Sequence, residues 1–254
     1  MNNETLKNYI KLKQKKYRDE SGQFLIEGIH LVEECLKSKF YKKNIETIFL
    51  RKDFDEDTIL NKLRGIDIET LTDLEFKKLS ETENSQGIIG LINKSDYIPA
   101  QNDKIICALD NLSDPGNLGT IFRLCWWFGI DNILISKNSV DIYNSKVIRA
   151  SQGAIFNLDI KEDVNLHEEL INLYGKGYEI ILTDLKTKNT LHNFKFGKDN
   201  NYILVFGNEA NGISSEIRNS PLFTKIKIDS YTNCESLNVA ASAAIIFYEL
   251  RKSI

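Results

Sequence analysis

The sequence predicts an α/β protein of two units, the second built on a mostly parallel sheet. Short apolar segments rich in β-branched residues alternate along the chain with helical patterns, which is typical of α/β folds. The alternation stops once, at the polar, proline-containing segment NKSDYIPAQND. We therefore expect a smaller α/β unit at 1–93, a linker at 94–103 and a second unit at 104–254.

The first unit alternates strand and helix patterns. Four segments have the composition of strands, in the order FLIEG, IETIFL, IDIETL and QGIIGLI. Three segments with helical spacing of apolar residues lie between them, namely IHLVEECLKS, DTILNKLR and DLEFKKLS. A basic cluster near the N-terminus is either a solvated helix face or an RNA contact: Lys7, Lys11, Lys13, Lys15, Lys16 and Arg18.

The second unit repeats the alternation with more apolar strands. Its predicted strands are KIICALD, DNILIS, AIFNLDI, YEIILT and YILVFG, followed by TKIKI. Because these segments lack polar alternation, they indicate strands covered on both faces and hence a mostly parallel sheet. Helices are expected at LGTIFRLCWWFG, SKVIRAS, LHEELINLYGK and SLNVAASAAIIFYELRK.

The composition limits the classes of function. Hydrophobic residues make up 42% of the chain, which suits a globular protein with a sizeable core. The net charge of -3 argues against a protein that coats nucleic acid, but not against a local RNA-binding patch. The apolar stretches are too short for a membrane span, and the lysine-rich N-terminus is no secretory signal. Four scattered cysteines fit the cytoplasm better than a disulfide or metal framework, and we expect no metal.

Three polar loops follow predicted strands of the second unit: DNLSDPGNLG, GNEANGIS and DSYTNCES. In open α/β sheets ligands bind outside the carboxyl ends of the strands, so we expect a shared ligand site there. GNEANGIS is no phosphate loop, because Ile213 stands where the phosphate-binding lysine belongs. The chain also lacks the GxGxxG of dinucleotide enzymes and the GxSxG of serine hydrolases.

Arg123 is one of two polar residues on the predicted helix from Leu118 to Phe128, the other being Thr120. We therefore expect Arg123 to be buried, and a buried arginine requires an anionic partner. The candidates are Glu209 in GNEANG and a phosphate of the ligand. The alternative is an arginine whose head reaches water at the sheet edge.

The last predicted helix begins near Ser236 and Asn238. Free backbone N–H groups at a helix start can meet a ligand, and a simple N-cap is the alternative role for Ser236. The segment SLNVAASAAIIFYEL is rich in small and apolar residues, which is typical of a helix that packs closely against others.

In order and placement, DNLSDPGNLGTIFR, FGNEANGIS and ESLNVAASAAIIFYELR resemble the three motifs of the SpoU (TrmH-like) family of RNA ribose 2′-O-methyltransferases, of the SPOUT superfamily. SKVIRASQGAIF is also similar to the family. KKYRDESGQFLIEGIHLVEECL and SQGIIGLI resemble the L30e-like substrate-binding domain that many members carry. The resemblance implies a catalytic domain with a trefoil knot, S-adenosylmethionine as cofactor, and a homodimer with the active site near the subunit interface.

The resemblance also assigns roles to single residues. The family's polar active-site positions match Asn117, Arg123, Glu209, Ser236 and Asn238. Arg123 would meet the target ribose or its phosphate, and the other four would hold it and the loops in place. The family proposal is that this arginine helps to remove the 2′-hydroxyl proton. Since arginine is effectively always protonated, the alternative is that it orients the substrate and stabilises an emerging alkoxide.

The residues that match the implied cofactor pocket are Gly207, Ile228 and Leu237, with Thr183, Asp184 and Leu185 as further candidates. In one departure from the family, Asp229 and Ser230 follow Ile228 where many members have Pro-Met. This departure concerns the contacts of the cofactor loop more than the activity.

We therefore expect an enzyme that methylates a ribose 2′-hydroxyl of structured RNA with S-adenosylmethionine, on ribosomal RNA of the 23S type. The L30e-like half favours ribosomal over transfer RNA by analogy. The alternatives are a transfer-RNA ribose methyltransferase and a non-catalytic RNA-binding assembly factor of the same fold. Retention of all five motif residues argues against the second alternative.

Overall fold

The computed structural model describes residues 1–95 and 104–254. Most of the linker predicted at 94–103 therefore lies outside the described residues. The chain divides into two compact units. The first comprises the residues up to 95 together with Asp141–Asn157, and the second comprises 104–140 and Leu158–Ile254.

Ten α-helices and ten strands are found in the described residues, besides short 3-10 helices. The helices are α1 (Asn3–Lys11), α2 (Lys15–Ser21), α3 (Ile29–Lys37), α4 (Asp57–Leu60), α5 (Asp73–Leu79), α6 (Pro115–Trp127), α7 (Ser145–Ser151), α8 (Leu166–Gly175), α9 (Ser215–Arg218) and α10 (Val239–Ser253). The strands are β1 (Gln23–Glu27), β2 (Ile45–Arg51), β3 (Ile68–Leu71), β4 (Ile88–Asn93), β5 (Ile105–Asp110), β6 (Asn132–Ser136), β7 (Asp159–Val164), β8 (Tyr178–Thr183), β9 (Asn201–Gly207) and β10 (Thr224–Ile226).

The first unit has a four-stranded mixed sheet in the order β1-β4-β2-β3. β4 pairs antiparallel with β1 and β2, whereas β2 and β3 are parallel. A core cluster joins this sheet to α5 through Phe49, Phe76 and Leu91. A capping box starts α5, since Thr72 and Glu75 bond each other's backbone N–H groups.

The segment Asp141–Asn157 belongs to the first unit although it lies between strands of the second sheet. A buried ion pair attaches it, because the Arg18 guanidinium donates to the Asp141 carboxylate, with Nε–Oδ2 at 3.0 Å. Arg18 also donates to the Leu12 carbonyl at 2.7 Å. Of the basic cluster near the N-terminus, Arg18 is therefore a structural residue and not a surface RNA contact.

We expect single substitutions of this pair to be strongly destabilising. Both side chains are about 5% exposed, so Arg18→Met or Asp141→Leu leaves one uncompensated buried charge, which costs about 3–5 kcal/mol of unfolding free energy. The double variant should recover most of the loss. Chemical denaturation measures this, with Lys15→Gln as control, since it removes the exposed Lys15–Asp19 pair and should cost less than about 1 kcal/mol.

The second unit has a six-stranded sheet in the order β10-β8-β9-β5-β6-β7, and every neighbouring pair is parallel. The predicted α/β class with a parallel sheet is confirmed. β5 and β9 lie at its centre and are almost wholly buried, which explains their uninterrupted apolar sequences. A core cluster packs α8 against one face, with Leu170, Leu182 and Val205 fully buried.

Several element boundaries differ from the predictions; the helix predicted from Leu118, for example, begins at Pro115. Ala154–Asn157, predicted as part of a strand, form a 3-10 helix, and the strand begins only at Asp159. In a short buried apolar segment, the spacing of apolar residues does not distinguish a strand from a helix. The last helix begins at Val239, and Asn238 caps it by accepting from the N–H groups of Ala240 and Ala241. Ser236 therefore lies in the loop before the helix, and its alternative role as the N-cap was wrong.

No helix within residues 1–95 and 104–254 is long and apolar enough to cross a membrane. The same ranges contain no group of three or more side chains able to hold a metal ion.

Candidate active site

The three polar loops singled out in the sequence follow the carboxyl ends of β5, β9 and β10. The chain runs outward from β5 to β6 and β7 on one side, whereas β9 and β8 lie on the other. The strand order therefore reverses between β5 and β9, and this is where open α/β sheets bind their ligands.

The loop after β9 folds back on itself. Asn208 and Gly212 exchange two backbone hydrogen bonds of 2.9 and 3.0 Å, and the Asn208 side chain accepts from two further N–H groups of the turn. At Gly207 a Cβ atom would lie 2.3 Å from the Gly212 carbonyl carbon, so only glycine fits. The turn thus holds Glu209 at its tip in one defined position.

Two side chains outside the predicted set fasten this loop to the end of β5. The buried Asp110 carboxylate accepts from the Ser214 N–H at 2.7 Å. The Asn208 amide donates to the Asn111 carbonyl at 2.8 Å. The only sequence signal for Asp110 and Asn208 was their position at strand ends. This position does not distinguish a residue that hydrogen-bonds two loops together from an ordinary turn residue.

Glu209 joins the two loops through four donors. Its Oε1 accepts from the Asp114 N–H at 3.2 Å and from the Asn117 amide at 3.0 Å. Its Oε2 accepts from the Ser113 N–H at 3.3 Å and from the Ser113 hydroxyl at 3.1 Å. Burial raises the pKa of Glu209, but these hydrogen bonds outweigh it and the pKa lies below the ordinary 4.5. Glu209 is therefore an ionised acceptor at neutral pH.

A directional chain of amides continues from Glu209. Because Asn117 donates to the carboxylate, its Oδ1 is left to accept from the Asn238 amide at 2.8 Å. The Oδ1 of Asn238 in turn caps α10. Each amide orientation is thus set by its neighbour, and the first turn of α6 is tied to the first turn of α10. The structure brings together three of the five predicted active-site residues.

Arg123 does not have the environment predicted for it. It is exposed, and within residues 1–95 and 104–254 no ion pair or hydrogen bond of its guanidinium is found. The prediction that it is buried was wrong. Glu209, one of the two candidate partners, does not bind it, since the Glu209 oxygens accept from Ser113, Asp114 and Asn117. The helix has one face in the core and one open face, on which Trp127 is 81% exposed. An apolar composition did not separate a buried helix from one with an open apolar face.

The candidate cofactor residues lie at the same edge of the sheet. Thr183 ends β8 and donates its hydroxyl to the Val205 carbonyl at 3.0 Å. The Asp184 N–H donates to the Ile226 carbonyl, which brings the ends of β8 and β10 together. Ile228 follows β10 and is half-buried, whereas the apolar side chains Leu185 and Leu237 are 60% and 49% exposed.

The comparisons with known proteins define the class. Residues 104–248 match the SpoU rRNA methylase family and residues 3–90 match an MRM3-like substrate-binding domain. The chain belongs to the SpoU rRNA methylase family. It is an RNA methyltransferase whose cofactor is S-adenosylmethionine, and both predictions are confirmed.

Individual relatives cover nearly the whole chain. It is 33% identical to the 23S rRNA (guanosine(2553)-2′-O)-methyltransferase RlmP of Bacillus subtilis, over 98% of this chain and 96% of that protein. Its structure is similar to that of a putative TrmH-family RNA methyltransferase from Porphyromonas gingivalis, with a TM-score of 0.84, 25% identity and 99% and 98% of the two chains covered. An AdoMet-bound rRNA methyltransferase from Sinorhizobium meliloti is similar with a TM-score of 0.83, at 25% identity over 98% and 95%.

The residues present fit this cofactor. S-adenosylmethionine combines a cationic sulfonium, an ammonium group and a flat adenine. The exposed Leu185 and Leu237 offer apolar surface for a ring, and the half-buried Asp184 and Asp229 offer carboxylates for a cation. Asp229, one of the two residues that depart from the family pattern, is therefore compatible with cofactor binding.

Proposed function

We propose that this protein methylates a ribose 2′-oxygen of ribosomal RNA of the 23S type. The observation that carries the proposal is the pair of hydrogen bonds by which Asn117 joins Glu209 to Asn238, which unites the three family motifs beside the strands that end at the cofactor residues. The substrate-binding family match in the first unit and the ribosomal substrates named for the relatives favour ribosomal over transfer RNA.

We assign the roles as follows. Thr183, Asp184, Leu185, Gly207, Ile228 and Leu237 hold the cofactor, which supplies an electrophilic methyl group on sulfur. Arg123 binds the ribose or its phosphate and stabilises negative charge as it develops on the 2′-oxygen. Asn117, Glu209 and Asn238 set the position of α6 and hence of Arg123. Ser236, whose exposed side chain lies in the loop before α10, contacts the substrate side of the same site.

The proton of the 2′-hydroxyl leaves to an RNA phosphate or to water. Arg123 keeps its own proton at every physiological pH. Glu209 is a poor base, because its oxygens already accept five hydrogen bonds and its pKa is low. This favours the second of the two roles considered for Arg123, orientation and charge stabilisation.

Mass-spectrometric mapping of ribose methylation in ribosomal and transfer RNA, with and without the gene, tests the proposal. We expect one ribosomal 2′-O-methyl group to disappear with the gene. Calorimetry on the purified protein should show binding of S-adenosylhomocysteine and none of NAD. Loss of a transfer-RNA methyl group instead, or cofactor binding without any change in RNA, would support one of the two alternatives.

We propose that the active form is a homodimer and that α6 and α10 form its interface. The two helices lie side by side, joined at their starts by Asn117 and Asn238 and at their ends by Arg251, which donates to the Phe128 and Gly129 carbonyls. Their open faces carry apolar side chains that water does not favour: Trp126, Trp127, Ile245 and Tyr248. A second copy would cover both faces at once, since a two-fold interface uses the same patch twice.

Substitution of Trp127 with glutamate should give a monomer. A charge in an apolar interface has no partner there, so the dimer should dissociate and methyl transfer should fall with it. Analytical ultracentrifugation checks the mass. Leu74→Glu is the control, since Leu74 is 70% exposed on α5 of the first unit and its change should leave the mass unaltered. A Trp127→Glu protein that stays dimeric would exclude this interface.

We further propose that 1–93 is the RNA-binding domain and that 104–254 is the catalytic domain. The C-terminal part of the catalytic domain would be threaded as a trefoil knot. We also propose that the protein works in the cytoplasm. The family matches at 3–90 and 104–248 support the two domains. The membership of Asp141–Asn157 in the first unit means that a catalytic half cut at residue 104 would leave this segment without its packing partners.

A further inference from the structure

The exposed charges of the first unit differ between the two ends of its sheet. At one end β1 and β2 finish and β4 begins, and the adjoining loops expose six carboxylates: Asp53, Asp55, Glu56, Asp57, Glu81 and Glu83. At the other end β1 and β2 begin and β4 finishes. Four lysines precede β2 there, with no acidic residue between Glu34 and Glu46: Lys37, Lys39, Lys42 and Lys43. The segment before β2 therefore makes this end of the sheet basic.

Two attachments fix the backbone that carries these lysines. The buried Ser38 hydroxyl donates to the Phe156 carbonyl at 2.5 Å and accepts from the N–H groups of Phe40 and Tyr41, both at 3.1 Å. The Asn44 amide donates to two backbone carbonyls at the end of β4, both at 3.3 Å. The two attachments enclose three exposed lysines, which form the lysine turn: Lys39, Lys42 and Lys43.

The lysine turn differs from the basic cluster near the N-terminus in what its charges already bind. Its three ammonium groups make no ion pair or hydrogen bond within residues 1–95 and 104–254. In the N-terminal cluster, Lys15 and Lys16 pair with carboxylates one turn further along α2. Lys13 donates to two carbonyls at the end of α5, at 2.8 and 2.9 Å, and Arg18 is buried against Asp141. Of the two basic segments, the lysine turn is therefore the one available to an external anion.

The arrangement of the three charges selects the class of partner. Like charges held close together repel one another, and an anion that spans them removes the repulsion. A small anion is held by polar groups that converge in a concave site, whereas the lysine turn is exposed. A nucleic acid carries phosphates at intervals along a strand, and exposed lysines bind them with release of counterions. RNA is favoured over another polyanion because the turn lies within residues 3–90, which match a substrate-binding domain.

We propose that the lysine turn binds the phosphate backbone of the RNA substrate, so that the basic end of the first unit faces the RNA. The inference rests on the proposed function, which assigns RNA binding to 1–93 without naming a face. Contacts to phosphate position a protein on RNA and carry no sequence information. The lysine turn thus supplies affinity and orientation, and the choice of nucleotide belongs to other residues.

The test is filter binding of a 23S-type ribosomal RNA transcript at several salt concentrations. The triple variant Lys39→Gln, Lys42→Gln and Lys43→Gln should lower the slope of log Kd against log salt by about two, since each phosphate contact contributes about 0.7. At about 0.1 M salt this change corresponds to a Kd about 10²-fold higher. An unrelated RNA of equal length should lose affinity by the same factor, because a phosphate contact does not depend on sequence.

A charge-matched control separates the position of the lost charges from their number. Lys52, Lys77 and Lys78 are exposed elsewhere in the first unit, on α5 and in the loop after β2. The triple variant Lys52→Gln, Lys77→Gln and Lys78→Gln removes the same charge, and its slope should equal that of the wild type. An equal fall in slope for both triple variants would mean that net charge alone governs binding, and the proposal would be wrong.

A conservative variant guards against a change in folding. Lys39→Arg, Lys42→Arg and Lys43→Arg together keep the charge and should keep the wild-type slope, with an unchanged thermal midpoint for every variant. The proposal is overturned if the glutamine variant of the lysine turn keeps the wild-type slope, or if only the ribosomal transcript loses affinity. If the wild-type protein binds S-adenosylhomocysteine but no ribosomal RNA, the proposed function fails instead.

Discussion

Arg123→Ala should reduce kcat/KM for methyl transfer by about 10²- to 10³-fold, the loss that follows removal of one donor to a developing oxyanion. Arg123 is exposed on α6 and has no partner in the described parts of the chain, so the change leaves no buried group unsatisfied. The thermal midpoint should therefore stay the same. S-adenosylhomocysteine should bind with unchanged affinity, because the proposed cofactor residues lie after β8, β9 and β10.

Two further variants define the role of this arginine. Arg123→Lys keeps the charge but lacks the planar pair of donors, so it should recover only part of the rate. Arg64→Ala removes an exposed arginine of the first unit and should leave kcat unchanged. Full activity of Arg123→Ala would refute the assigned role, and a parallel loss of cofactor affinity would move Arg123 into the cofactor pocket.

The sequence predicted the architecture of the second unit well because its signals are strong and local. Uninterrupted apolar segments gave β5 and β9, and the polar loops after them gave the location of the site. The trefoil knot stays a prediction, since neither periodicity nor strand order reports how a segment threads. The membership of α7 in the first unit could not be predicted either, because it depends on a contact between Arg18 and Asp141, residues far apart in the sequence.

The site was predicted in part, and the prediction for Arg123 was wrong for a physical reason. The resemblance to the three family motifs placed Asn117, Glu209 and Asn238 in one site. The argument from burial then made Glu209 one of two candidate partners of Arg123, because a helix of almost wholly apolar composition was expected to be buried. Trp127 and Tyr248 show that two helices of this chain keep open apolar faces, so an apolar composition did not imply that the whole helix is buried.

Glu209→Gln should lower kcat/KM by about 10²-fold although the side chain keeps its shape. A carboxylate offers acceptors on both oxygens, and in this protein both face donors: Ser113 on one side, Asp114 and Asn117 on the other. Glutamine replaces one oxygen by an NH₂ group, so donor meets donor on one side and the loop before α6 must shift. A displacement of about 1 Å at a catalytic residue is enough for a loss of this size. Glu168→Gln, an exposed change on α8, is the control and should be neutral.

The pH dependence separates a loss of the carboxylate from a general loss of structure. The pKa of Glu209 is depressed in the folded protein, so its contribution to stability is complete above the ordinary pKa of 4.5 and is lost as the pH falls through the lower folded value. The difference in unfolding free energy between wild type and Glu209→Gln should thus be constant from about pH 8 to 5.5 and shrink below about 4. A difference that changes between pH 6 and 8 would contradict the assignment.

Asn117→Asp should rescue Glu209→Gln, because the hydrogen bonds from Asn238 through Asn117 to Glu209 all run in one direction. In Asn117→Asp a carboxylate faces Glu209, and like charges should disrupt the site on their own. Combined with Glu209→Gln, the aspartate accepts from the glutamine amide and still accepts from Asn238, so the link from α6 to α10 is restored with donor and acceptor exchanged. The double variant should therefore be more active than either single variant, and a double-mutant cycle of initial rates measures the coupling. Additive losses would mean that Glu209 and Asn117 act on the substrate separately, and that the contact between them does not set the position of Arg123.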